Sequence, residues 1–247
     1  MFQARHIDIL LAHGWFRMGR YMFSVHHIGW HRETRVFWLR YYLPETDLPR
    51  SARLIERKAE RFEFVYREFQ AGEEYSQLYR QYRASVTIDT ADTLDEVLYR
   101  QEAGKQLAET FRTMVVEMRD QGRLVGAGIF DSGQNSIMGT VNFFLPEYRK
   151  FSPGKALMLK KMDWAKKAGM KFYYPGYIAA GDARFDYKLF PGTAGAELFD
   201  PLQRAWVTFR PGLQDILGNI QKVSIRQFPE PLWLNPLQAR EVLARFD

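Results

Sequence analysis

Hydrophobic and polar positions are most regular in the middle of the chain. From Arg112 to Arg119 they alternate: Met114, Val116 and Met118 lie on one side and Thr113, Val115, Glu117 and Arg119 on the other. A two-residue period predicts a strand. Asp120-Gln121-Gly122 supplies a turn into a second strand, Leu124 to Phe130, and Asp131-Ser132-Gly133-Gln134-Asn135 supplies another into Ser136 to Leu145. Three antiparallel strands in a meander are expected. After Pro146 a loop ends in Ser152-Pro153-Gly154, and Lys155 to Lys167 reads as a helix with Ser152 as its cap and Pro153 at its first position. Gly169 closes that helix, Lys171 to Ile178 forms the next strand, and after a polar loop Ala205 to Phe209 forms another.

Upstream the pattern is coarser. Arg35 to Tyr42 reads as a strand and Ser51 to Arg61 as a helix; Tyr75, Leu78, Tyr79 and Tyr82 recur at helical spacing within 71–104, and Thr93 is placed to cap a helix running to Glu102. The density of arginine and aromatic residues sets residues 1–70 apart as an N-terminal region and leaves 71–247 as a second domain. Repeats and low-complexity tracts are absent.

Composition narrows the chemistry. With 46% hydrophobic residues in 247, the chain can bury a substantial core. It has no cysteine, so disulfides, thiolate metal sites and a cysteine nucleophile are excluded. No apolar run reaches membrane-spanning length, and Arg5, His6 and Asp8 interrupt any signal-like segment, so a cytoplasmic location and no membrane partner are expected. Thirty-five basic against 29 acidic residues give a formal charge of +6, which suits a polyanion such as RNA without requiring one. Arg17, Arg20, Arg32, Arg35, Arg40, Arg50, Arg53, Arg57, Lys58 and Arg61 crowd the first quarter among Trp15, Phe16, Tyr21, Trp30, Phe37 and Trp38. That mixture fits either stacked bases and phosphates or a charged face over an aromatic core. Lysines 160, 161, 166 and 167 are expected on a solvated helix face.

A meander, then a helix, then a return strand resembles the core of GNAT-type acyltransferases. The implied fold class is α+β, with a mixed, mainly antiparallel sheet flanked by helices. In that arrangement the loop before the helix offers backbone N–H groups and the helix dipole to an anion. Here the loop is Arg149-Lys150-Phe151-Ser152-Pro153-Gly154-Lys155, and its single glycine and proline depart from the spacing of an acetyl-CoA loop.

The stretch from Gly154 to Pro191 is more specific. It contains Tyr173-Tyr174-Pro175-Gly176-Tyr177-Ile178 and Asp186-Tyr187-Lys188-Leu189-Phe190-Pro191. It resembles the C-terminal signature of arginyl-tRNA-protein transferases and their bacterial leucyl-transferring relatives. Leu10, Leu11, Gly14, Arg17, Gly19 and Tyr21 are similar to that family's opening segment, and Glu74-Tyr75 with Leu78-Tyr79 and Tyr82 to its central helix. Family members carry a cysteine cluster where this chain reads Val25-His26-His27-Ile28-Gly29-Trp30-His31, and no metal is expected there. Pro175 replaces an apolar residue, and Ala183 to Phe185 depart from the usual pair before Tyr187.

The resemblance implies transfer of an amino acid, of arginine or leucine type, from aminoacyl-tRNA to the N-terminal amine of an acceptor protein. This is aminolysis of an activated ester, which requires no cofactor. It requires removal of a proton from the amine, positioning of both reactants, and donors for the oxyanion. Gly176 and Tyr177 are the expected groups beside the ester, and Asp182 and Asp186 are read either as proton acceptors or as loop caps. Lys188 and Tyr187 join Arg149, Ser152, Gly154 and Lys155 as substrate contacts, and Arg17, Tyr21 and Arg83 are the resemblance's candidates for tRNA. An acyl-CoA-dependent enzyme and a non-catalytic RNA- or peptide-binding relative are the alternatives.

Overall fold

The turn at Gln121 and Gly122 has φ angles of 51° and 83°. Two left-handed residues give a hairpin turn whose twist matches that of the strands it joins. The fold around it is taken from a computed structural model that describes residues 3–25, 27–28, 34–87, 91–99, 111–179, 182–213, 232–234 and 236–244. In chain order the described elements begin with α1 (Ala4–Ala12), β1 (Phe16–Met18), β2 (Tyr21–Ser24), β3 (His27–Ile28) and β4 (Thr34–Tyr42). Next come α2 (Arg50–Ala59), β5 (Glu63–Glu68), α3 (Glu73–Ala84), α4 (Leu94–Tyr99), β6 (Thr113–Asp120), β7 (Arg123–Ser132) and β8 (Ser136–Phe144). The last are α5 (Pro153–Lys167), β9 (Phe172–Ala179), β10 (Ala196–Asp200), β11 (Ala205–Thr208), β12 (Leu232–Leu234) and α6 (Pro236–Leu243).

The main sheet has the order β11-β10-β4-β9-β8-β7-β6-β5, with β3 paired to β4 beside that path, and a small second sheet runs β1-β2-β12. All its pairings are antiparallel except β8 with β9. The expected meander is β6-β7-β8, and the α+β class with a mixed, mainly antiparallel sheet flanked by helices is realised. The return strand lies parallel to β8 because α5 carries the chain back across the sheet before β9 begins. Helix α5 packs against β6, β7 and β8. It comes close because β7 carries glycine at two positions beneath it: a Cβ on Gly128 would stand 3.3 Å from the Cβ of Leu157.

Two expectations about exposure change. Residues Met114 to Met118 of β6 are all buried, including Val115 and Glu117, because both faces of the sheet are covered. Glu117 is tolerated there because Tyr75 donates its hydroxyl, and Arg119 and Arg67 approach at 2.7 and 3.0 Å. Lys161, expected in water, is 1% exposed, whereas Lys166 and Lys167 are exposed as expected. Lys161 follows Leu157 by four residues and precedes Ala165 by four, so it shares the buried stripe of α5 with them.

The sheet runs across the boundary expected at residue 70. Strand β4 sits in its interior between β9 and β10, and β5 forms an edge. Asp8 of α1 accepts hydrogen bonds from the Gln134 and Asn135 amides, both at 2.9 Å, and from the Ser136 hydroxyl at 2.5 Å. These hold the N-terminal helix on the turn between β7 and β8. Arg17 of β1 is buried against Asp131 of β7 at 2.5 Å, donates to the Leu98 carbonyl at 2.8 Å, and lies 4.6 Å from the Phe111 ring centroid. Truncating Arg17 to alanine leaves Asp131 buried without a counter-charge. A loss of about 3–5 kcal/mol in a denaturant titration is expected, and pairing the change with Asp131→Asn recovers part of it.

Candidate active site

Strands β8 and β9 pair through only three residue pairs, Ser136 with Phe172, Ile137 with Tyr173 and Met138 with Tyr174, and then diverge. Each carries an irregularity just where they part. On β8 the register steps from Phe130–Gly139 to Ile129–Val141, so Thr140 is an extra residue. On β9 it steps from Tyr41–Tyr173 to Leu39–Gly176, so Tyr174 and Pro175 face a single residue of β4. A bulge bends its strand away from its neighbour. Pro175 has no N–H to offer β8, and Gly176 takes a φ of 105° that other residues rarely adopt. The sequence reading of an interrupted strand is thus met in another form: β9 continues to Ala179 against β4, and its other edge is released.

Between the parted strands lies a cleft of about 460 Å³, closed on one side by the start of α5. Its wall contains Lys161, whose Nζ donates to Asn142 Oδ1 at 2.8 Å; Asn142 Nδ2 in turn donates to the Gly154 carbonyl at 3.2 Å. This chain of bonds ties the bulged strand to the first turn of α5. Gly139 leaves the amine and the neighbouring phenol uncovered, since a Cβ there would stand 3.0 Å from Tyr173 Oη and 3.5 Å from Lys161 Nζ. Thr140 contributes a buried hydroxyl with no hydrogen-bond partner. Burial lowers the Lys161 amine to about 7.

Lys188 also lines the cleft. It is 8% exposed, and its Nζ lies 4.8 Å from the ring centroids of Phe185 and Tyr187 and 5.4 Å from that of Tyr177. Its stem runs beside Gly176, where a Cβ would stand 3.4 Å from Lys188 Cε. Burial lowers this amine to about 8, against the pull of Asp186.

Of the expected site residues, Arg149, Ser152, Gly154, Lys155, Tyr187 and Lys188 line the cleft, and Gly176 borders Lys188. Ser152 is not the side-chain cap expected: it takes φ 54° and ψ 53°, makes no capping bond, and its carbonyl accepts from the Lys155 and Ala156 amides. Pro153 has no amide hydrogen, so the helix start offers little beyond the Gly154 N–H to an anion. Tyr177 packs edge-on against Trp38 at 5.2 Å and is not one of the residues that line the cleft. Asp182 caps the 3-10 turn Ala183–Leu189 and holds Arg184 at 2.6 Å, and Asp186 is exposed. Arg17 is spent on Asp131, Arg83 pairs with Asp92 at 3.2 Å, and Tyr21 sits on the small sheet. His26 and His31 lie outside the described residues.

Sequence reading missed Lys161, Asn142 and Thr140. Only Lys161 left a signal, a cation in register with an apolar stripe. An amine at about 7 when folded and near 10.4 when unfolded binds fewer protons in the folded state across that window. Stability therefore rises with pH from about 7 to 10, by up to ~1.4 kcal/mol per pH unit. Lys161→Met is expected to flatten that rise in chemical denaturation followed at several pH values.

Residues 74–190 match the family model described as "Arginine-tRNA-protein transferase, C terminus". The arginyl-tRNA–protein transferase 1 of Arabidopsis thaliana is 25% identical over 55% of this chain and 24% of its own length. The aspartate/glutamate leucyltransferases of Aeromonas salmonicida and Saccharophagus degradans are 31% and 30% identical, over 30% and 39% of this chain and 32% and 40% of theirs. The chain thus spans well under half the length of these relatives. Among solved structures, FemX overlaps 85% of this chain and 70% of its own with a TM-score of 0.49 at 10% identity. The L-PGS of Bacillus licheniformis gives 0.40 at 14% identity over 58% and 48%. The matched segment holds both parted strands, α5 and Lys188, and over it this chain is similar to the arginyl-tRNA-protein transferases and their bacterial leucyl-transferring relatives.

Proposed function

We propose that the cleft transfers an aminoacyl group, of arginine or leucine type, from tRNA to the N-terminal amine of an acceptor protein, an N-degron type of modification made in the cytoplasm. The observation that carries this reading is the pair of buried amines, Lys161 and Lys188, lining a cleft between strands that the family's C-terminal segment supplies. The acceptor's nitrogen attacks the ester carbonyl carbon. A C–N bond forms, the carbonyl oxygen becomes an oxyanion, and its collapse breaks the C–O bond to the ribose.

Each group in the cleft suits one part of that sequence. Lys161, at about 7, is half neutral near physiological pH and accepts the proton that the attacking amine loses; the proton ends on the departing ribose oxygen. Lys188, at about 8, remains mostly protonated there and faces the oxyanion in a setting that water does not screen. Gly176 admits the ester to that ammonium, and Arg149 and Lys155 at the mouth meet phosphate. Asp182 is occupied by Arg184, which favours its reading as a loop cap. The acyl-CoA alternative is disfavoured because Ser152 and Pro153 leave the helix start too few free amides for a pyrophosphate.

The deciding experiment is transfer of labelled amino acids from charged total tRNA to peptides that vary in their first residue. Label on a subset of peptides is the expected result; folded protein that labels none removes the activity. Lys188→Met is expected to lower kcat by about 10²–10³. The wild-type rate is expected to rise with pH through about 7, as Lys161 loses its proton, and to fall above about 8, as Lys188 loses its own.

A further inference from the structure

Outside the cleft, the most uneven distribution of charge is on α2. Arg50, Arg53, Arg57 and Lys58 are all exposed, and none of them makes an ion pair or a side-chain hydrogen bond among the described residues. With Arg61 they set five cations against Glu56 and Glu60 over 12 residues, an excess of three out of the chain's six. By contrast Arg80, Arg112 and Arg123, exposed elsewhere, are each paired with a carboxylate, Glu73, Glu68 and Glu147. The helix buries Ala52 and Ala59 and packs on α5 and on the 3-10 turn Pro146–Phe151, so its cationic residues project outward at helical spacing. Leu54 is 46% exposed among them.

This face is continuous with the cleft mouth. The Arg61 guanidinium lies 4.9 Å from the Phe151 ring centroid, and the Lys150 ammonium lies 5.2 Å from the same ring. Arg149, the next residue back, lines the cleft. A track of positive charge thus leads from the cleft past Arg61 and along about 14 Å of helix, at 1.5 Å per residue from Ala59 to Arg50. A polyanion held on it would enter the cleft by one end. We infer that the exposed face of α2, continued by Arg61 and Lys150, is the surface that docks the phosphodiester backbone of the donor tRNA while its aminoacylated end occupies the cleft. The inference rests on the transfer reading above and adds to it where the body of the nucleic acid lies. Charge complementarity favours RNA over an acidic protein, since unpaired cations along one line neutralise successive phosphates and release their counterions.

The test compares Arg53→Gln/Arg57→Gln/Lys58→Gln with wild type and with Arg80→Gln/Arg112→Gln/Arg123→Gln, which removes the same charge from paired positions. Total tRNA binding is measured by fluorescence anisotropy from about 50 to 200 mM salt, with circular dichroism showing that all three proteins are folded. The α2 variant is expected to bind about tenfold or more weakly at the lowest salt, with a slope of log K against log salt shallower by about two. Its kcat at saturating aminoacyl-tRNA is expected to stay within about twofold of wild type, since no α2 residue touches the cleft. Equal affinity and slope in the α2 variant and wild type would overturn the docking face alone, as would an equal loss in the control. Wild-type protein that transfers no label and binds polyglutamate rather than tRNA would overturn the transfer reading as well.

Discussion

The parting of β8 from β9 is the constraint from which the rest follows. Two parallel strands side by side would ordinarily continue their ladder, and unpaired backbone groups in an interior are costly. Here the ladder stops after three pairs because an extra residue on each strand, Thr140 and the Tyr174-Pro175 step, turns them apart. The space so made is bridged by side chains: Lys161 joins Asn142 on β8, and Asn142 joins Gly154 on α5. The cleft is therefore held together from within by polar side chains that line it.

That arrangement sets stability against use. A buried ammonium is costly, and the protein meets the cost at Lys161 by lowering its proton affinity instead of supplying a carboxylate. Lys188 has ring faces around it, which favour a cation while leaving its N–H donors free for a ligand. A carboxylate partner at either position would have held the amine in its ordinary range and filled the space where a substrate oxygen would sit. Groups tuned away from their usual values by burial in a cleft are the pattern expected of an acid–base site.

The N-terminal residues support this site from behind. Strand β4 is the partner on which β9 stays paired while its other edge is released, so residues before 70 are needed for the cleft although none of the described ones lines it. Asp8 fixes the turn at which β8 begins, and Arg17 with Asp131 locks the hairpin β1–β2 onto β7. The resemblance assigned Arg17 to tRNA; its burial gives it a role in the fold. Basic residues that remain available to a polyanion lie instead on α2 and at the cleft mouth.

Local pattern by itself determined the elements whose signals are short-range. Alternation in β6, the Gln121-Gly122 turn, the stripe of Tyr75, Leu78, Tyr79 and Tyr82 on α3, Thr93 accepting the Glu96 amide at the start of α4, and Pro153 with Gly169 bracketing α5 are each decided by neighbours a few residues apart. The motifs around Gly176 and Lys188 also lie in the segment that borders the cleft. Tertiary structure alone decided what depends on distant partners. Strands β5 and β10 are short, and only their pairing with β6 and β4 defines them. Thr140 is an ordinary strand residue until β7 fixes a register that leaves it over, and Lys161 is an ordinary surface lysine until the sheet covers its face of α5. Bulges and burial arise from the match between two separated stretches of chain, and no single stretch contains that information.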